Sequence, residues 1–394
     1  MKVKAYNGAE IDFPDLNLDN NDLLALPAVI DPHVHFRTPG AENKENWISG
    51  AQAALAGGVT TVFDMPNNNP AVTSLETLVN KEKLVAEQLQ TAGIPLRPYF
   101  YFGATNDNLD EFEKVKDKII GVKIFFGSST GNLLVTDSEI QEQIFKKCAE
   151  LNLIVAVHAE DEELLLQEKA KYPNPTIFDH SKIRSKEVAI KAVKQALLLA
   201  KKTGAKLYLL HISTRAELEL IRQAKSDGVK VFAETAPHYL FLDESYYDLL
   251  GSKAQMNPPL REASDVHALW QALVDGMIDT IGTDHAPHTL QEKSLPYPQS
   301  PSGVPGIETS LPLLLNAYNE GKISLAKIVE LTSLNQQRIF NLPNVNDWVI
   351  VDLKKEKVIK DNELKTKCGW SPYSGRKLTG AIVATIIDGQ VFVV

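Results

Sequence analysis

Ala28-Val29-Ile30-Asp31-Pro32-His33-Val34-His35-Phe36-Arg37 carries a short apolar run straight into two histidines one residue apart. In an extended chain alternate side chains share a face, so both imidazoles project to the same side and can bind one metal ion. An HxH pair on its own also fits two structural histidines. The context downstream gives it meaning. After Ala28–Ile30, the runs Thr60–Met65, Arg97–Phe102, Gly121–Phe125, Ile154–His158, Lys206–His211, Val229–Thr235 and Thr280–Asp284 read as strands. Segments of helical period separate them: Asn46–Ala56, Ser74–Gln90, Ser138–Leu151, Ser185–Thr203, Thr214–Asp227 and Asp265–Asp275, with Ile307–Tyr318 after the last. This is the pattern of repeated βα units, and eight alternations predict a closed (β/α)₈ TIM-like barrel over an open sheet.

Thr214 and Glu217 have capping-box spacing, which starts a helix there and puts His211 at the C-terminal end of the sixth strand. Residues 1–27 and about 345–394 leave the βα rhythm, while Trp348–Leu353 and Ala381–Ile387 read as strands. The expectation is a small β-domain built from both termini, beside a barrel domain of residues 28–344.

Composition narrows the function. The chain has 394 residues, 44% of them hydrophobic and 23% charged, enough for one large buried core plus an appendage. Its net charge of −9 is spread along the sequence, so it has no basic stripe of the kind phosphate backbones require, and nucleic acid is not an expected partner. Cys148 and Cys368 stand far apart, which argues against a disulfide framework and a thiolate cage; both read as core or near-surface residues. Residues 1–22 lack an apolar signal core, and no run approaches the ~20 apolar residues of a membrane span. A soluble cytoplasmic protein with no membrane partner is expected.

Lys123 and His158 fall on the fourth and fifth strands, and His211 and Asp284 at the ends of the sixth and eighth. Side chains from separate strands meet at the C-terminal mouth of such a barrel, where its active sites lie. Imidazole and carboxylate are ordinary zinc ligands. Lys123 is the odd member, an amine inside the apolar run Gly121-Val122-Lys123-Ile124-Phe125-Phe126. An ammonium has no lone pair for a metal, but a carbamate formed with carbon dioxide has two oxygens and can bridge two cations. The resulting hypothesis puts His33, His35 and Asp284 on one ion, His158 and His211 on the other, and carboxylated Lys123 between them. The alternative is a lysine snorkelling at the rim or paired with an acid.

Leu26 to Arg37, Gly57-Gly58-Val59-Thr60-Thr61-Val62, Val157-His158-Ala159-Glu160-Asp161, His211-Ile212-Ser213-Thr214 and Asp284-His285-Ala286-Pro287-His288 resemble the cyclic amidases of the amidohydrolase superfamily. That group contains dihydroorotases, allantoinases and hydantoinases. The resemblance spans roughly residues 24 to 355 and implies a binuclear Zn²⁺ site on the positions already singled out, of the carboxylated-lysine kind. Arg37 lies on the same side of an extended chain as His35, and its planar fork suits a carboxylate. The loops Met65-Pro66-Asn67-Asn68-Asn69-Pro70 and Met256-Asn257-Pro258-Pro259-Leu260-Arg261, with His288, resemble dihydroorotase substrate loops. By that resemblance Arg37, Asn67 and His288 hold the ring carboxylate, and Asn257 with the backbone of Ser302 and Gly303 holds the ring amides. Read alone, the asparagines also fit turns beside proline and Arg37 a structural ion pair.

The resemblance implies reversible hydrolysis of dihydroorotate to N-carbamoyl-aspartate, a step of pyrimidine biosynthesis; relatives are often homodimers, and the sequence leaves the oligomeric state open. Two zinc ions make water nucleophilic near neutral pH and polarise the ring carbonyl. Asp284 takes the proton of the attacking oxygen and delivers it to the departing ring nitrogen. An allantoinase or hydantoinase shares the metals but needs no carboxylate clamp. A non-catalytic scaffold for a transcarbamoylase would lack several ligands, whereas all six positions are filled. His180 and His267 lie in polar stretches and read as solvated or capping residues, and His285 receives no catalytic role. The Pro- and Ser-rich stretch Thr289–Val304 reads as a long structureless segment with the makings of a lid.

Overall fold

The computed structural model describes residues 1–16, 22–129 and 133–394. Eight parallel strands follow one another in sheet order as in sequence: Val29–Val34, Val59–Asp64, Arg97–Gly103, Gly121–Phe125, Ile154–His158, Lys206–Leu209, Val231–Thr235 and Thr280–Ile281. The ring closes beyond the last of them. His285 bridges Val34 in parallel and its carbonyl accepts from the His35 N–H at 2.8 Å. Asp31 reinforces the seam, accepting from the Thr283 hydroxyl and, at 3.0 Å, from its N–H.

Period-two alternation sorts the strand residues. Ile30, Phe63, Met65, Tyr101, Ile154, Ala156, Tyr208 and Leu210 fill the interior, and Phe340 plugs the floor with its ring 4.9 Å from Phe63 and 5.1 Å from Tyr208. The intervening residues, such as Val122, Ile124, Val155 and Val157, join the outer core with Val193 and Ala196 of helix Lys186–Thr203. Burial on both faces explains why these strands are nearly continuously apolar. It also gives the interior column of each strand a chemical top: the positions after Ile154 and Ala156 lead to His158, and Gly121 leads to Lys123.

The helices fall where the periodicity predicts, among them Trp47–Ala56, Leu75–Ala92, Ser138–Glu150, Arg215–Ser226 and Ser310–Asn319. Thr214 and Glu217 form the expected capping box. The termini build a separate six-stranded sheet in the order Gln390–Val393, Lys377–Ile387, Trp348–Val358, Leu23–Pro27, Lys2–Ala5 and Glu10–Asp12. Its central pairing is antiparallel, with Val349 opposite Leu26. Among the described residues no helix is long and apolar enough to cross a membrane.

Three expectations need correction. The eighth strand ends at Ile281 and the sixth at Leu209, so Asp284 and His211 lie just past their strands. Both have left-handed backbones, with φ of 46° and 42°, because the chain must turn there to aim the side chain back over the barrel. The stretch Thr289–Val304 is not structureless: Thr289 and Glu292 cap a short helix, Leu290–Lys293, whose last side chain is buried. His180 is not solvated: its backbone caps the short turn of helix Ile177–Asp179, but its ring is buried and Nε2 donates to the Met256 carbonyl at 2.8 Å. His267 is exposed as expected, and Cys148 and Cys368 are buried free thiols.

Candidate active site

All the site positions named from the sequence except His288 line one cavity at the C-terminal mouth: His33, His35, Lys123, His158, His211 and Asp284 with Arg37, Asn67, Asn257, Ser302 and Gly303. His288 sits immediately behind Arg37, its Nε2 3.2 Å from the guanidinium Nη2 and donating to the Ser302 carbonyl at 3.0 Å. That bond puts the proton on Nε2, leaving Nδ1 to accept from the Lys44 ammonium at 3.1 Å.

The donor set fits a divalent cation. Asp284 Oδ1 lies 3.3 Å from His33 Nε2 and 3.1 Å from His35 Nε2, and the three ligand atoms fall within 4.8 Å of one another. Their outer nitrogens are spoken for. His33 Nδ1 meets Glu234 Oε1 at 2.8 Å and His35 Nδ1 meets Asn67 Oδ1 at 2.9 Å. Such partners fix the tautomer that leaves Nε2 with a free lone pair. His158 is oriented in the same way. Its Nε2 faces Glu160 at 2.9 Å, while Nδ1 points at His211 Nε2, 3.0 Å away. Two ring nitrogens converging at that separation are poised to share one cation.

Electrostatics favour the ligating form at three of the imidazoles, while at His33 burial is outweighed by the Asp284 and Glu234 carboxylates, which raise it. Burial drives His35 down to about 3 and also lowers His158 and His211, so their imidazoles are neutral. For Asp284, burial opposes ionisation, but His33 and His35 outweigh it and hold the carboxylate well below its usual range. Lys123 is 1% exposed, and burial pulls its amine down to about 7 against the opposing pull of Asp284 and Glu234. Its Nζ lies 4.5 Å from the centre of the Phe125 ring. Arg37, at φ 62°, is also buried; it donates from Nε to the Pro287 carbonyl at 3.1 Å, and burial lowers it to about 10.

Three acids that no motif reading singled out hold this geometry. Glu234, fully buried on strand Val231–Thr235, accepts from the Tyr208 hydroxyl at 3.0 Å and the His211 N–H at 3.2 Å as well as orienting His33. Its carboxylate occupies the space where a side chain at position 282 would stand, which accounts for Gly282. Glu160 links His158 to the Arg184 guanidinium; burial pushes its carboxyl up, but Arg184 and His158 overcome this and hold it at about 2. Asp31 belongs to the seam described above. For Glu234 a signal did exist, an acid interrupting the apolar run Val231-Phe232-Ala233-Glu234-Thr235 as Lys123 interrupts its own.

The comparisons with known proteins agree with this architecture. The profile of the amidohydrolase family matches residues 24–391. The dihydroorotase of Methanosphaera stadtmanae is 34% identical over 396 residues, an alignment covering 96% of this chain and 87% of that protein. The multifunctional protein CAD of Squalus acanthias is 34% identical over 377 residues, which are 95% of this chain but 15% of that much longer protein. Among solved structures, the L-hydantoinase (dihydropyrimidinase) of Arthrobacter aurescens superposes with a TM-score of 0.89 at 27% identity, covering 96% of this chain and 88% of the hydantoinase. With a barrel mouth that gathers the candidate ligand residues and a sequence that aligns over nearly its whole length with such enzymes, this chain belongs to the amidohydrolase family and, within it, to the dihydroorotases.

Proposed function

We propose that this site hydrolyses the ring amide of dihydroorotate to give N-carbamoyl-aspartate and catalyses the reverse ring closure. The observation that carries this reading is a buried arginine, Arg37, lining the same cavity as the His33, His35 and Asp284 cluster. A cation desolvated there, backed by His288 and flanked by Asn67, suits a small anion beside the reacting amide. A hydantoinase or allantoinase has no carboxylate to place against it.

His33, His35 and Asp284 would hold one Zn²⁺, and His158 and His211 a second. Lys123 would join the two as a carbamate: its neutral amine adds to the carbon of carbon dioxide, one C=O π pair moves onto oxygen as the nitrogen–carbon bond forms, and the nitrogen loses one proton to solvent. When bound, the ions supply Lewis acidity that activates water and polarises the ring carbonyl. The chain's own groups do the rest. Asp284 accepts a proton from the attacking water and passes it to the ring nitrogen as the carbon–nitrogen bond breaks. In the ring-closing direction it removes that proton from the ureido nitrogen. Arg37, steadied from behind by His288, and Asn67 hold the carboxylate, and Asn257 with the backbone of Ser302 and Gly303 holds the ring amides, so the carbonyl is presented in one orientation.

Dihydroorotate, allantoin and hydantoin assayed side by side on the metal-analysed protein test the reading. Turnover of dihydroorotate well above both others, with about two zinc ions per chain, is the expected result. A clear preference for hydantoin or allantoin would overturn the substrate assignment, and an inactive, metal-free chain would leave only a scaffold.

A further inference from the structure

We infer that Lys293 is a positioning residue that sets the ring-amide wall of the substrate pocket by gathering backbone carbonyls from two separate loops onto one ammonium. Lys293 ends the short capped helix Leu290–Lys293 and is 3% exposed. An ammonium has three N–H donors. Here they reach the Gln255 carbonyl at 3.1 Å, the Pro301 carbonyl at 2.8 Å and the Gly303 carbonyl at 3.1 Å.

These acceptors flank, or in the case of Gly303 belong to, the residues assigned to the ring amides. Gln255 precedes Asn257 by two positions, while Pro301 and Gly303 bracket Ser302. Further bonds knit the same loops together. The Gly303 N–H donates to the Gln255 carbonyl at 2.9 Å, and Gln255 Nε2 donates to the Ser300 carbonyl at 2.8 Å and the Ser302 hydroxyl at 3.1 Å. Gly303 has φ of 138°, and a side chain there would strike the Ala286 carbonyl and the His288 ring, so this wall tolerates little displacement. Below the ammonium lies Trp370, 5.8 Å from Nζ to ring centre, whose Nε1–H donates to the His288 carbonyl at 2.7 Å. The ammonium therefore bonds both amide loops and faces the ring that holds the backbone of the residue behind Arg37.

A buried ammonium with only neutral acceptors is a poor way to gain stability, because desolvating the charge is costly. Three convergent carbonyls without a donor would be costly too. What the lysine contributes that an apolar residue cannot is a fixed distance between the two loops, and that distance is where the substrate's amides would bind. This inference rests on the dihydroorotase reading for the roles of Asn257, Ser302 and Gly303, but the loop staple itself does not depend on substrate.

Steady-state kinetics and amide hydrogen exchange on zinc-loaded Lys293→Met, beside wild type, provide the test. The expected result is a KM for dihydroorotate raised roughly tenfold or more, a kcat changed by less than about threefold, unchanged zinc content, and exchange at the Gly303 amide faster by at least about tenfold. A lysine that is merely structural would lower the melting temperature while leaving the KM of the folded enzyme untouched. An unchanged KM and unchanged Gly303 exchange in a folded, metal-replete variant would overturn the inference. If Lys293→Met does not fold, Gln255→Met removes two of the same loop's donors with Lys293 in place and should give the same KM-selective defect; a wild-type KM there would also overturn it. Wild-type protein that does not turn over dihydroorotate would refute the functional reading instead, and Gly303 exchange would still decide the staple.

Discussion

Two buried lysines in this barrel show how neighbours decide what a buried charge is for. Lys81, on helix Leu75–Ala92, is fully enclosed and has every proton matched: Asp64 at 2.5 Å, the Met65 carbonyl at 3.1 Å and Asn68 Oδ1 at 2.8 Å. Lys123 is as deeply enclosed, yet no carboxylate among the described residues lies within ion-pairing distance of it, and its ammonium rests over the Phe125 ring. The first site is complete as folded. Around the second, four imidazoles and the Asp284 carboxylate present metal-ligating atoms, a surrounding suited to an anionic bridge rather than an ammonium. The carbamate proposed for Lys123 would resolve the mismatch; the same change at Lys81 would create one.

Removing each side chain should separate the two sites cleanly. Lys123→Ala is expected to lose the metal pair and, with it, several kcal/mol of transition-state stabilisation, on the order of 10³ or more in kcat/KM. Short carboxylic acids such as propionate should restore part of both by supplying two oxygens in the vacated space. Full zinc occupancy of the unsupplemented variant would sink the carbamate. Lys81→Met should do the opposite. It strands Asp64 in the interior at a cost of about 3–5 kcal/mol of folding stability, read from denaturant unfolding, while kcat per folded molecule stays at the wild-type value. Asp64→Asn added to it should recover most of the loss, since the amide oxygen can still accept from the Phe36 N–H, now bonded to Asp64 at 2.8 Å.

Arg37 is the intermediate case, a buried cation partly satisfied by the Pro287 carbonyl and otherwise turned toward the cavity. If its remaining donors await a substrate carboxylate, Arg37→Met should lower kcat/KM for dihydroorotate by roughly 10- to 100-fold, the worth of a charge-assisted bond, without changing zinc content. Turnover of dihydrouracil, the same ring without the carboxylate, should be little affected. Equal losses on both substrates would return Arg37 to a structural role.

The sequence distinguished these three cations unequally, and the reasons are physical. Lys123 is visible because it breaks a β run, and strand alternation says that it faces the barrel interior. Arg37 is visible through its spacing from His35. Lys81 sits in Asn80-Lys81-Glu82-Lys83, where an amphipathic helix gives every lysine the look of a solvated residue. Only the fold, by bringing Asp64 beneath it, makes it interior. Lys293 and His180 are hidden in the same way by polar neighbours, and their hydrogen-bond partners lie as much as 38 and 117 residues away. The left-handed turns at His211 and Asp284 leave no mark either, since the barrel's closure imposes them. Side chains that gather from strand ends into the cavity were therefore legible, and those that hold them in place mostly were not.

The smallest effect tests the comparison most finely. An ammonium over a buried aromatic face gains about 0.5–2 kcal/mol from the ring's quadrupole. A carbamate in the same place gains nothing of the kind. Phe125→Leu should therefore destabilise the metal-free protein, where Lys123 retains a cationic form, more than the zinc-loaded protein, where the amine has become an anion. By linkage the variant should bind the metal pair more tightly than wild type, by roughly two- to thirtyfold, although it has lost packing in the core. Competition with a chelator at fixed bicarbonate reads this directly. Weaker or unchanged zinc affinity would mean that Lys123 keeps its positive charge in the loaded enzyme, and the contrast with Lys81 would then be one of packing rather than of chemistry.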